Sequence, residues 1–323
     1  RVFGDCPLLT SGFESEKQED MYPSRTAASE VYAQVETDIE EALRLMPASS
    51  KLLHKASPAA INMLRTEYYL WKAKRLGGGN AALSTAQSSV DAVLKAGYAL
   101  LPTFADIFNL NNEANSELIW TLPYIVNENV TPGTSPNFFA YYLAPNGDRT
   151  RLREAGYTED EVPAGSHAQY VVPTQAYCDF LAEDARDTRT DVSVRVFEDK
   201  FLTEEVQIKR MVVKFKGSFA NDTRSFDSDV PVYRLAEAYL LKAEAENALG
   251  NTDAALQNLN VVAKRAYGVD NYYTARTQDA IDNAIISEIL KEFVAESKAW
   301  WAYLRFNKEF ELIETLKGRE GEK

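Results

Sequence analysis

Apolar residues recur at three- and four-residue spacing in the first and last parts of this chain, and the period is lost between them. The clearest run is residues 229–268. Ala236, Tyr239, Leu240, Ala243 and Leu249 fall on one face of a predicted helix. Gly250 and Asn251 break the pattern, the glycine because it accepts the left-handed conformation that ends helices. Asn251 or Thr252 caps a second helix, with Asp253 in the first turn, where the helix dipole favours an acid. Ala255, Leu256, Leu259 and Val262 or Ala263 form its stripe. Small alanines at facing positions let two antiparallel helices approach closely. That is the logic of a tetratricopeptide-like hairpin, which cannot bury its apolar face alone and needs stacked neighbours.

The same period predicts helices over residues 28–46, 58–76 and 80–95. The first carries Tyr32, Val35, Ile39, Leu43 and Met46 on one side and stops at Pro47. The second opens with a Ser57 cap and Pro58 at its first position, and turns Ile61, Leu64, Tyr68 and Trp71 inward. Glycines 77–79 end it, and Asn80 caps the third, with Leu83, Ala86, Val90 and Leu94 inward. Between residues 104 and 169 the helical period fails. Leu118, Ile119 and Trp120 make a short apolar run, after which Pro, Gly, Asn, Thr and aromatic residues dominate. Pro173 and Thr174 open a helix to about residue 183. Alternation around residues 211–216 reads as a short hairpin, and residues 221–228 as a polar loop. A last helix, from Asp279 to about Phe306, breaks near Ser297 and turns Ile285, Ile289, Phe293, Trp300 and Tyr303 one way. The expected architecture is all-α: stacked tetratricopeptide-like hairpins at residues 1–103 and 229–323, with an irregular segment holding one helix at 104–228, in a single domain.

Charge narrows the function. The formal net charge of −13 argues against nucleic acid or an anionic membrane as partner. No stretch approaches the ~20 apolar residues that span a bilayer. The two cysteines, Cys6 and Cys178, have no metal spacing and read as small buried apolar side chains. The two histidines, His54 and His167, read as surface residues, and no nucleophile elbow or HExxH motif accompanies them. Glycines 77–79 lack phosphate-loop spacing and read as a helix-to-helix turn. Asn109, Asn111 and Glu113 resemble a calcium loop without its glycine, and Asp222, Asp227 and Asp229 are a second faint acidic grouping. Neither is assigned a metal. The expectation is a protein that is not an enzyme and uses no cofactor.

A long loop rich in aromatics is expected to be functional rather than disordered. Tyr124, Phe139, Tyr141 and Tyr142 offer faces for the apolar side of a sugar ring, and Asn137, Asn146, Asp148 and Arg149 offer partners for its hydroxyls. These eight are the expected ligand contacts. Tyr141 and Tyr142, adjacent in an extended segment, are expected to point to opposite sides. Trp120, Trp300 and Trp301 are expected to pack the core, and Arg234, Glu237 and Glu244 to make inter-helix hydrogen bonds.

The run from Asp229 through Arg234, Leu235, Ala236, Glu237, Tyr239, Leu240, Ala243, Glu244 and Ala245, followed by Gly250, Asn251, Ala255, Leu256, Leu259 and Asn260, resembles the SusD/RagB family. Gly4, Asp5, Pro7 and Leu8, the close of the third helix at Gly97, Tyr98 and Leu100, and the segment from Pro173 to Asp187 and Arg189 resemble it too. Of the family's ending motif, Glu292, Glu296, Trp300 and Arg305 match, while Ser297, Ala299 and Ala302 stand where Gly, Arg and Asp are usual; a weakened salt-bridge network is the expectation. The resemblance implies a surface-exposed outer-membrane lipoprotein that captures an oligosaccharide and delivers it to a SusC-like TonB-dependent transporter. It also implies an N-terminal portion, with the lipid anchor and a first helical repeat, that lies outside this sequence, so that Cys6 is not the anchor. A peptide-binding member of the family and a repeat scaffold for protein partners are the alternatives.

Overall fold

The structure, a computed structural model, describes residues 3–15, 22–47, 52–125, 153–154, 156–163, 171–199 and 206–321. Helices α1 (Ala28–Leu45), α2 (Pro58–Arg75) and α3 (Gly79–Leu94) come first. Strand β1 (Leu118–Leu122), helices α4 (Gln175–Leu181) and α5 (Thr190–Ser193), and strands β2 (Val194–Asp199), β3 (Gln207–Val212), β4 (Ser218–Ala220) and β5 (Thr223–Ser225) follow. Strand β6 (Val230–Arg234) leads into helices α6 (Leu235–Ala248), α7 (Thr252–Tyr267), α8 (Gln278–Glu292), α9 (Ala299–Phe306) and α10 (Glu309–Leu312). The architecture is helical and tetratricopeptide-like, with three separate two-stranded antiparallel pairs among the described residues: β1 with β6, β2 with β3, and β4 with β5.

Local signals explain several helix ends. Ser57 Oγ accepts the Ala60 N–H at 3.2 Å ahead of Pro58. Thr174 Oγ1 accepts the Tyr177 N–H at 3.2 Å, and Thr277 caps α8 in the same way. Gly250, at φ +84°, makes the turn between α6 and α7. Asn80 is not a cap: α3 begins one residue earlier, behind Gly78. Cys178 is buried, whereas Cys6 is half-buried in an isolated bridge to Thr26.

Helix α6 is the centre of the stack. Leu235, Ala238, Leu241 and Ala245 belong to a core shared with α2 and α3 through Met63, Leu70, Ala86 and Val90. Ala236, Leu240 and Ala243 belong to a second core with Leu259, Val262, Ile281 and Ile285 of α7 and α8. A helix between two cores has no solvent face, so the single stripe read from sequence was too narrow. Its polar residues are buried too and find partners: Glu244 meets Arg305 and Lys74, and Lys242 meets Asp91 and Glu246. At the edges the sequence reading overfilled the core. Leu64 and Val35 are exposed, and Trp300 is 44% exposed rather than core; Ala302 and Arg305 are the buried residues of α9.

Residues 230–234, expected as helix, form strand β6. Its partner β1 lies on the far side of the irregular segment, and the pair carries a register irregularity around Trp120. Trp120 packs with Tyr233 at a ring distance of 6.3 Å against the first core, as expected of it. Arg234, at the end of β6, is 1% exposed. Its guanidinium donates to Glu292 Oε1 at 2.6 Å, Glu296 Oε2 at 2.9 Å and Glu117 Oε1 at 3.2 Å. Arg265 joins Glu117 and Glu292, and Arg189 joins Asp187, Glu288 and Glu292. Ser297, Ala299 and Ala302 contribute no charge, and the charges that are retained are buried and paired. Ser297 sits at φ +61°, a left-handed conformation that glycine adopts at least cost, and with Ala295 at φ +62° it breaks the chain between α8 and α9.

Two outcomes follow from this packing. Ala243→Trp forces a large ring between α6 and its neighbours, and we expect a loss of at least ~1–3 kcal/mol in a denaturant melt; an unchanged midpoint would place Ala243 outside a helix interface. Burial alone would raise the carboxyl pKa of Glu292, Glu296 and Glu244, yet the facing cations hold all three below the ordinary 4.5. Groups that ionise more readily when folded contribute stability fully above that value and lose it as pH falls. The melting temperature should therefore drop on acidification below pH 4.5, and a flat profile from neutrality through that range contradicts the assignment.

Candidate functional site

The β1–β6 pairing brings two distant stretches to one place. Asp229, just before β6, accepts the Tyr124 N–H on Oδ1 at 3.0 Å and the Thr121 hydroxyl on Oδ2 at 3.2 Å. Its own N–H donates to Glu113 Oε1 at 2.9 Å. His54 Nδ1 lies 3.0 Å from Thr121 Oγ1 and 3.9 Å from Asp229, with its ring 45% exposed, so it is a half-exposed neighbour of this anchor. Burial pushes the Glu113 carboxyl pKa up, and the nearby Asp229 and Asp227 carboxylates add to the rise.

Beyond the anchor the chain leaves an open cleft of about 860 Å³. Tyr124, Leu110, Asn111 and Glu113 line one side, and residues 158–160 and the β4–β5 hairpin, with Phe219, Arg224 and Asp227, line the rest. The hairpin turns through Asn221 at φ +50° and Asp222 at φ +56°, the left-handed pair that a two-residue hairpin turn requires. Asp227 closes it by accepting from the Ser218 N–H at 2.6 Å and the Ser218 hydroxyl at 2.8 Å. Gly217 permits the close approach: a Cβ there would stand 1.9 Å from the Ser225 carbonyl oxygen, at φ +65°. Sequence reading took residues 221–228 as loop and missed Phe219 and Arg224; the signal was the Asn221–Asp222 pair between two short alternating runs. The expected hairpin around residues 211–216 exists with different bounds, as β2–β3.

Of the expected ligand contacts, Tyr124 lines the cleft. Asn137, Phe139, Tyr141, Tyr142, Asn146, Asp148 and Arg149 lie outside the described residues, as does His167. The two faint acidic groupings are otherwise employed. Asn109 Oδ1 accepts the Asn111 N–H at 2.9 Å, and Asp222 pairs with Arg153 at 2.6 Å. Among the described residues no three His, Cys, Asp or Glu side chains are placed to hold a metal ion. No described helix is long and apolar enough to cross a membrane. Gly217→Ala should collapse one wall of the cleft, costing roughly 1–3 kcal/mol of stability from a left-handed, overpacked position. A variant that melts like the parent shows that the hairpin tolerates a Cβ.

Comparison with known proteins bears on what this arrangement is. Residues 201–321 match the SusD family. A SusD-like protein, P38, of Formosa agariphila is 26% identical over 98% of this chain and 65% of its own length. A SusD superfamily protein of Bacteroides fragilis superposes with a TM-score of 0.74 at 26% identity, covering 94% of this chain and 64% of that one. Surface glycan-binding protein A of Bacteroides thetaiotaomicron, solved in complex with laminarihexaose, shares the fold with a TM-score of 0.64 at 20% identity, over 88% of this chain and 62% of that one. The chain therefore spans just under two thirds of the length of these relatives. With the matched C-terminal region built around Arg234, Glu292 and Glu296, the chain is similar to the SusD family over residues 201–321, and it shares the fold of a SusD superfamily protein over nearly all of its length.

Proposed function

We propose that this protein binds an oligosaccharide without turning it over and hands it to a TonB-dependent transporter at the outer-membrane surface, where a lipid anchor preceding residue 1 holds it. The observation that carries the binding reading is the cleft beside Tyr124. It is open, of a size for a few sugar rings, and pairs aromatic faces (Tyr124, Phe219) with acceptors for hydroxyls (Glu113, Asp227). Ligand sites generally combine a concave apolar surface with a few placed polar groups. The shared fold of a protein solved with laminarihexaose supports the choice of a glycan. The assignment of Asn137, Phe139, Tyr141, Tyr142, Asn146, Asp148 and Arg149 as further contacts is part of this proposal. So is the single domain, with helical regions 1–103 and 229–323 supporting the segment 104–228.

The test is calorimetry of the full-length lipoprotein, without its lipid, against a panel of glycans that includes laminarihexaose, alongside Tyr124→Ala. The backbone N–H that anchors Tyr124 to Asp229 survives that change, so stability should hold. Loss of a stacking face should cost ~1–3 kcal/mol of affinity, about ten- to hundredfold. Undiminished binding by the variant moves the platform elsewhere. Capture of peptides in place of any glycan overturns the ligand class, and failure to co-purify with a transporter from detergent-solubilised outer membranes overturns delivery.

A further inference from the structure

Resting on the reading that the cleft takes a glycan, we propose that it is built for an uncharged one: its carboxylates act as acceptors for sugar hydroxyls and turn away chains bearing uronate or sulfate. Glu113, Glu159, Asp160 and Asp227 line the cleft, and Arg224 is the one cationic side chain among its described lining residues. Arg224 faces the protein. Its Nη1 donates to the carbonyls of Lys216 at 2.9 Å and Gly217 at 3.3 Å, its Nη2 donates to the Glu159 carbonyl at 2.7 Å, and the side chain is 1% exposed. Arg153, at the same rim, is shared between Asp222 at 2.6 Å and Glu159 at 3.5 Å. Among the described residues both cations are paired within the wall, and an anion approaching these walls meets acids.

Two of those acids are held as acceptors. Glu113, which lines the cleft, spends Oε1 on the Asp229 N–H, and among the described residues Oε2 has no hydrogen-bond partner. A half-buried carboxylate oxygen calls for a donor, and hydrogen bonds to an ionised acceptor are the strong ones. A hydroxyl supplies that donor. A ligand carboxylate or sulfate supplies a second acceptor and a like charge, close to Asp227 and Asp229, where repulsion is poorly screened. Asp227 is fixed by two bonds from Ser218, so it cannot swing away.

The experiment compares matched probes on the full-length, lipid-free protein: laminarihexaose, mannan and xyloglucan as neutral chains, and polygalacturonate, alginate and chondroitin sulfate as anionic ones. Affinity electrophoresis and calorimetry are run at low and at physiological salt. At least one neutral chain should bind, with every anionic chain weaker by about a hundredfold or more at low salt. Glu113→Gln, which keeps an acceptor for the Asp229 N–H, should weaken neutral binding about tenfold while melting like the parent. Asp160→Asn, at an exposed position that needs no fold rescue, should narrow the gap between neutral and anionic chains. Anionic chains that bind as well as neutral ones, or neutral binding indifferent to both substitutions, overturn the proposal while leaving the glycan reading intact. Silence from every chain, neutral and anionic, overturns both.

Discussion

A charge taken out of water has to be paired, and this fold is arranged around satisfying that requirement for Arg234. Its guanidinium, effectively without solvent, faces Glu117 from the segment before β1 and Glu292 and Glu296 from the end of α8. Desolvation of such groups costs several kcal/mol each, and removing one partner of a buried pair typically destabilises by ~3–5 kcal/mol. The pairing is shared further. Lys214 donates to the carbonyls of Glu292 and Val294, which the break after α8 leaves without helical partners. Burial pushes the Lys214 ammonium pKa down, to about 8, with Glu296 opposing the shift. Phe104 and Phe108 lie against these cations, so aromatic faces complete the shell that the carboxylates begin.

The network also joins the helical stack to the cleft. Glu117 lies directly before β1, whose far end carries Thr121 and leads to Tyr124. Arg234 closes β6, whose near end is preceded by Asp229. The two strands are thus pinned at one end by buried ion pairs and at the other by the Asp229 carboxylate. Stability at the helical end translates into a fixed position for Tyr124 at the other. The cleft is held by strand pairing and by the tight hairpin over Gly217.

Helix existence was legible in the sequence wherever the signal was local. The caps at Ser57 and Thr174, the turn at Gly250 and the break at Ser297 each depend on a few neighbouring residues. The structural role expected of Arg234, Glu237 and Glu244 also holds, since all are buried and paired. What failed was non-local. Strand β6 reads as the start of a helix because its partner lies more than a hundred residues away, across β1, and only that pairing defines it. The ion network was underestimated for the same reason: Glu117, Arg189 and Lys214 look like ordinary surface charges until the fold brings them together. Trp300 was misplaced because a period cannot tell the last helix of a stack from an inner one. At the site, Tyr124 was found by its aromatic character, while Phe219 and Arg224 were missed inside a run dominated by polar residues.

The spacing of the network along the chain sets an order of assembly. Arg234 is separated from Glu117 by 117 residues, from Glu292 by 58 and from Glu296 by 62, and Arg189 is 103 residues from Glu292. Synthesis runs from the N-terminus, so Glu117 and Asp187 are made before the arginines they pair with, whereas Glu288, Glu292 and Glu296 are made well after them. Until then each guanidinium has only part of its carboxylate shell, Glu117 for Arg234 and Asp187 for Arg189. The helices of the first repeats are free to form early, but the centre of the molecule closes only when α8 arrives. A chain stalled before residue 292 consequently lacks the acids that close the centre of the molecule.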